Sequence, residues 1–105
     1  MSELFAMFMS ICIHADVMNC EQVEVEYDKV KPAFAEAYLY NTGRRKIVLD
    51  NRLSKRDYDV KLGYLVHEVA HVANFPDGGH GKAFQKECRR LSEVMGTYVG
   101  HCKSH

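Results

Sequence analysis

YDVKLGYLVHEVAHVAN, residues 58–74, carries two superimposed patterns. With His67 set at zero and about 100° of turn per residue, His71 falls near 40°, Tyr64 near 60° and Glu68 near 100°. Leu62, Leu65, Val66, Val69, Val72 and Ala73 then gather between about 140° and 260°. The period predicts a helix that starts at Asp57 or Asp59 and runs to about Asn74, where Pro76 and the Gly78-Gly79 pair forbid continuation. One side of this helix anchors in a core while the other presents polar chemistry to a cleft. Residues four apart share a helix face, so the imidazoles of the HExxH segment His67-Glu68-Val69-Ala70-His71 can bind one metal ion without bending the backbone.

A catalytic zinc typically takes three protein ligands and leaves one position for water, so a third ligand must come from elsewhere in the chain. Downstream candidates are Asp77, His80, Glu87 and Glu93. Asp77 stands at the spacing of a metzincin third ligand, with Asn74 where that pattern has Gly. Glu87 and Glu93 fall on the following helix, as in gluzincins. His80 is preferred, because the Asp77-Gly78-Gly79 turn lets the chain reverse and return an imidazole to the His67/His71 pair. Gly81 is expected to permit close backbone approach there, and Phe84, one turn into the next helix, to pack near the site.

Outward from this segment, Val23, Val25 and Tyr27 alternate with Glu24, Glu26 and Asp28, the period of a half-buried strand. Ala33–Tyr40 and Lys46–Asp50 read as two further strands, with the turn signal Asn41-Thr42-Gly43 between them. Together they predict an antiparallel sheet of about three strands. The apolar run from Ser2 to about Met18 predicts a first helix packed on most sides, with Ser2 as its cap. A last helix should begin after Gly81 and end at Gly96. Thr97–His105 carries no assignment. The fold class is therefore α+β: an N-terminal helix, a small sheet, the HExxH helix and a C-terminal helix, expected to form a single domain over residues 1–105.

Fourteen Lys plus Arg balance fourteen Asp plus Glu, which argues against a strongly basic nucleic-acid binder and against an acidic disordered chain. Arg44, Arg45, Lys46, Arg52, Lys55 and Arg56 nevertheless concentrate positive charge in the middle of the sequence. They are read as a solvated face, with a weak DNA contact as the second reading. The opening apolar run has no basic flank before Lys29 and only about half the length of a membrane span, so neither a leader nor a membrane anchor is expected. Cys12, Cys20, Cys88 and Cys102 form no CxxC pair and are expected as free thiols of a cytoplasmic protein, Cys88 as a small buried hydrophobe.

The segment HEVAHVANFPDGGHGKAF resembles the SprT-like zinc metallopeptidase domain, in which HExxH is followed after a short loop by His-Gly-x-x-Phe or Trp. More weakly, the resemblance covers roughly residues 23–95. It implies a zincin-like fold, Zn2+ as cofactor, His67, His71 and His80 as metal ligands, Glu68 as the catalytic carboxylate, and a protein or peptide as substrate. Larger Spartan-related members add a cysteine-rich zinc ribbon and act on proteins crosslinked to DNA. Here only His101, Cys102 and His105 follow, and they are expected to form a frayed tail. The alternative to a peptidase is a zinc-stabilised binding module, DNA-associated, that hydrolyses nothing; a fourth protein ligand would mark it.

Overall fold

A computed structural model describes residues 2–75 and 79–102. Helix α1 spans Glu3–His14, strands β1, β2 and β3 span Val23–Asp28, Ala35–Leu39 and Arg45–Asp50, and helices α2 and α3 span Tyr58–Ala73 and Lys82–Met95. Short 3-10 turns lie at Cys20–Gln22, Asn51–Lys55 and Val99–Cys102. The Ser2 hydroxyl caps α1 by accepting from the Phe5 N–H at 3.0 Å. The helix stops at His14, short of Met18, because Asp16 and Asn19 adopt positive φ of 51° and 63°, geometry that Asp and Asn tolerate and apolar residue counts do not reveal. It is also one-sided: Leu4, Met7, Phe8 and Ile11 are buried while Phe5 and Ile13 are exposed.

The sheet is mixed, not antiparallel throughout. Its order is β1-β3-β2, with β1 parallel to β3 and β2 antiparallel to it. β2 and β3 form the expected hairpin, closed by Gly43 at φ 88°, a conformation that glycine adopts without steric cost. The chain leaves β1, crosses to the far side of the sheet, and returns along β3 into the gap between the two earlier strands. Alternation within a strand reports which face is buried, not which neighbour it pairs with, so this order was invisible in the pattern.

The crossing is held at the end of β3. The buried Asp50 carboxylate accepts from the Val30 N–H at 2.8 Å, the Arg52 N–H at 2.9 Å and Arg52 Nε at 2.7 Å. Arg52 in turn donates to the carbonyls of Val30 and Ala33 and lies 4.2 Å over the Phe34 ring. Other members of the basic segment are matched by strand β1: Arg44 pairs with Glu24 at 3.2 Å and Lys46 with Glu26 at 2.7 Å. Arg44 and Lys46 thus have partners on the neighbouring strand.

The core lies where α1 and α2 close over one face of the sheet and α3 packs against both helices, around Phe8, Ile11, Ile47, Leu49, Leu65, Val66, Val69, Phe84 and Leu91. In α2 the buried residues include the expected stripe of Leu62, Leu65, Val66, Val69 and Val72, whereas Ala73 is exposed at the helix end. α2 begins after Asp57 rather than Asp59, and α3 ends at Gly96 in the left-handed conformation.

The cysteines are not free thiols. Cys12 is bonded to Cys20 and Cys88 to Cys102, which leaves no free cysteine and removes the premise from which a reducing, cytoplasmic setting was inferred. The first pair ties the end of α1 to the turn before β1, and the second ties α3 to the Val99–Cys102 turn. That turn is therefore packed, with Cys102 1% exposed, and the expectation of a frayed tail fails at His101 and Cys102; His105 lies outside the described residues. No helix among the described residues is long and apolar enough to cross a membrane.

Three outcomes are expected. Alkylation of the denatured, unreduced protein should label no cysteine, and removal of either disulfide should cost about 2–5 kcal/mol in denaturant unfolding. Arg52, above all, holds the Asp50 carboxyl below its ordinary value of 3.8, followed by the backbone N–H groups of Arg52 and Val30. The stability that this carboxylate contributes is full above the ordinary carboxylate range and is lost as pH falls toward the lowered folded value. Asp50→Asn should therefore lower the melting temperature at neutral pH and flatten its acid dependence, as followed by melts across a pH series.

Candidate metal centre

α2 positions the site because its two faces have separate tasks. Its apolar stripe is clamped between sheet and helices, and the opposite sector, including Val60, Gly63, Tyr64, His67, Glu68 and His71, forms one wall of a cleft of about 1000 Å³. Across the cleft lies the segment from Ala33 to Ala37, which runs into β2, and the tail residues Thr97, Tyr98 and His101 also line it.

His80 stands before Gly81, the residue that opens α3, and its carbonyl accepts from Gln85 Nε2 at 2.9 Å. Its ring reaches the α2 pair: His80 Nε2 lies 3.2 Å from Nε2 of His67 and 3.1 Å from Nε2 of His71. Phe84 packs against all three imidazoles, stacked on His71 with centroids 4.4 Å apart and edge-on to His67 and His80 at 4.9 Å each. Gly81 is not needed for close approach, since a Cβ there would meet nothing within 4 Å. Of the alternative third ligands, Glu87 is paired with Arg90 at 2.8 Å and Glu93 is exposed; Asp77 lies outside the described residues.

Burial, reinforced by the neighbouring imidazoles, pushes His67 and His71 down to about 4, so both rings are neutral at physiological pH. Neutral imidazole is the form that binds metal. His67 Nδ1 faces the carbonyl oxygen of His101 at 3.2 Å and must carry the proton it donates, which leaves the Nε2 lone pair pointing at the other two rings. The donor set fits a metal ion: nitrogens about 2.0–2.1 Å from a tetrahedral zinc lie about 3.3–3.4 Å from one another, close to the spacings observed here. Burial, with a smaller contribution from Glu36, raises Glu68 to about 8 in the metal-free protein. A bound cation beside it would act in the opposite direction.

The chain shares its fold with two metallopeptidase zymogens. Abylysin of Pyrococcus abyssi superposes with a TM-score of 0.68 at 18% identity, over 87% of this chain and 87% of that one. Jannalysin of Methanocaldococcus jannaschii superposes with a TM-score of 0.64 at 16% identity, over 90% of this chain and 92% of that one. No family model and no curated protein sequence matches the chain. The likeness to these zymogens establishes a metallopeptidase-like fold, and the narrower SprT-like resemblance rests on the residues quoted above.

Sequence reasoning missed the tail. His101 touches His67 through its backbone carbonyl, a contact that no side-chain motif encodes. The available signal was an even number of cysteines, two of them, Cys88 and Cys102, bracketing the helix end at Gly96.

If the three imidazoles form one site, the parent chain should bind one zinc ion and His80→Ala should lose most of that affinity. Chelator competition measures it. Undiminished affinity in the variant would move the third ligand elsewhere.

Proposed function

We propose that this chain is a zinc-dependent endopeptidase in which His67, His71 and His80 hold the metal and Glu68 is the general base. The observation that carries the reading is the convergence of three Nε2 atoms at the wall of an open cleft, with a buried carboxylate on the same helix. Bound zinc supplies Lewis acidity to a water molecule and to the scissile carbonyl. Glu68 takes the proton of the attacking water and passes it to the leaving amine. Its low exposure of 6% keeps competing water away from the carboxylate, and the helix fixes it next to His67.

Substrate is read mainly through its backbone. β2 pairs only with β3 among the described strands, so its other edge, which lines the cleft along Ala35–Ala37, is where an extended peptide would add as another strand. Phe34, Tyr64 and Phe75 give that cleft an apolar floor, with the Phe34 and Tyr64 rings 5.7 Å apart. Main-chain pairing and a broad apolar floor favour unfolded protein over a defined sequence. The SprT-like resemblance supports the same ligand set and the same carboxylate. The openness of the cleft beside the three imidazoles favours the peptidase over the zinc-stabilised binding module.

Glu68→Gln should keep the fold and the metal and lower hydrolysis of an unfolded protein by about 10²–10⁴-fold, because an amide does not accept the water's proton. Turnover equal to the parent's would remove Glu68 from the mechanism, and absence of turnover in both proteins would leave the binding-module reading.

A further inference from the structure

The tail residue His101 is tied to α3 twice and to α2 once. Its ring Nε2 lies 3.1 Å from the hydroxyl of Ser92, a fully buried residue of α3. The next residue, Cys102, is bonded to Cys88, one turn before Ser92 on the same helix. The third link is the His101 carbonyl oxygen, which accepts from His67 Nδ1 at 3.2 Å. The turn Val99–Cys102 is short and flanked by the exposed Tyr98, and these links join it to α3 and α2.

An imidazole can present either nitrogen to a metal, and a ring flip exchanges them. A carbonyl acceptor at Nδ1 selects one tautomer and one ring plane, and loss of such an outer partner typically costs about 10–100-fold in metal affinity. We propose that His101 is the positioning residue for His67, and that the Cys88–Cys102 disulfide and Ser92 act on metal affinity at a distance by holding its carbonyl oxygen on His67 Nδ1. The proposal rests on the reading of His67, His71 and His80 as the metal-binding group.

Because the acting atom is a backbone oxygen, the levers are its tethers. Cys88→Ala/Cys102→Ala removes the covalent one. Alanine is used in place of chemical reduction because a free Cys88 thiol, 3.8 Å from His101 Nδ1, would add a ligand beside His67. Cys12→Ala/Cys20→Ala is the control: it deletes the other disulfide, which lies at the α1 end of the molecule. Zinc affinity by chelator competition, and the His67 tautomer by ¹⁵N spectroscopy of the metal-free protein, are measured on each full-length chain.

The Cys88→Ala/Cys102→Ala protein should bind zinc about 10–100-fold more weakly than the parent. Its His67 ring should change from the Nδ1–H tautomer to a mixture, whereas the control retains both parental properties. Parental affinity and tautomer in a folded Cys88→Ala/Cys102→Ala chain would overturn the proposal, as would an equal loss in the control. Should that double variant not fold, Ser92→Ala in the disulfide-bonded protein must weaken zinc binding in the same direction, and unchanged binding there overturns the proposal as well. If the parent itself binds no zinc, the metal-centre reading falls and takes this inference with it. Parental binding with indifferent tethers removes the inference alone.

Discussion

Three imidazoles cannot be brought to one point without a reason, because their nitrogen lone pairs repel unless a proton or a cation stands between them. His80 Nε2 lies 3.2 Å from Nε2 of His67 and 3.1 Å from Nε2 of His71, and the surroundings of the three rings are built to keep them there. Burial holds His67 and His71 uncharged, Phe84 fills the space behind the rings, and the apolar stripe of α2 locks the helix that carries two of them. The position of β2 follows from the same demand. A cleft needs a second wall, and the Asp50–Arg52 anchor supplies it by pinning the segment that carries Phe34 across the sheet.

Much of this was legible because α2 obeys one period. The separation of apolar and polar sectors on a wheel required only residue types and spacing, and the structure places Tyr64, His67, Glu68 and His71 on the cleft side as the wheel does. His80 was accessible for a different reason: glycines before and after it mark a reversal, and a reversal is what returns a downstream side chain to an upstream helix. Strand positions were read from alternation at Val23, Val25 and Tyr27. The parallel pairing of β1 with β3 was not readable, because it depends on where the connection from Lys29 to Phe34 crosses, a long-range fact fixed by Asp50 and Arg52.

The cysteines show why a local rule failed. Absence of a CxxC pair argued for free thiols, yet sequence spacing does not decide whether two Cys side chains come within bonding geometry in the folded chain. Cys12 and Cys20 meet because positive φ at Asp16 and Asn19 turns the chain back after α1. Cys88 and Cys102 meet because Gly96, left-handed at the end of α3, reverses the tail along that helix. In both cases the turn residues were present in the sequence, but their effect on distant side chains exists only in three dimensions.

A cleft of about 1000 Å³ is a large concession for a chain of 105 residues. Small domains bury a smaller fraction of their surface than large ones, and a helix whose polar sector lines a cavity gives the core only its other side. Glu68 is buried and the imidazoles half-buried without the hydrophobic gain that apolar side chains would bring in their place. The two disulfides stand where that deficit is felt. One closes the α1 end of the core, and the other fastens the tail that bounds the cleft, so each restricts the unfolded chain while its native ends lie beside packed helices. Placing one of these covalent ties next to His101 lets the same bond steady the fold and the ring that faces the site.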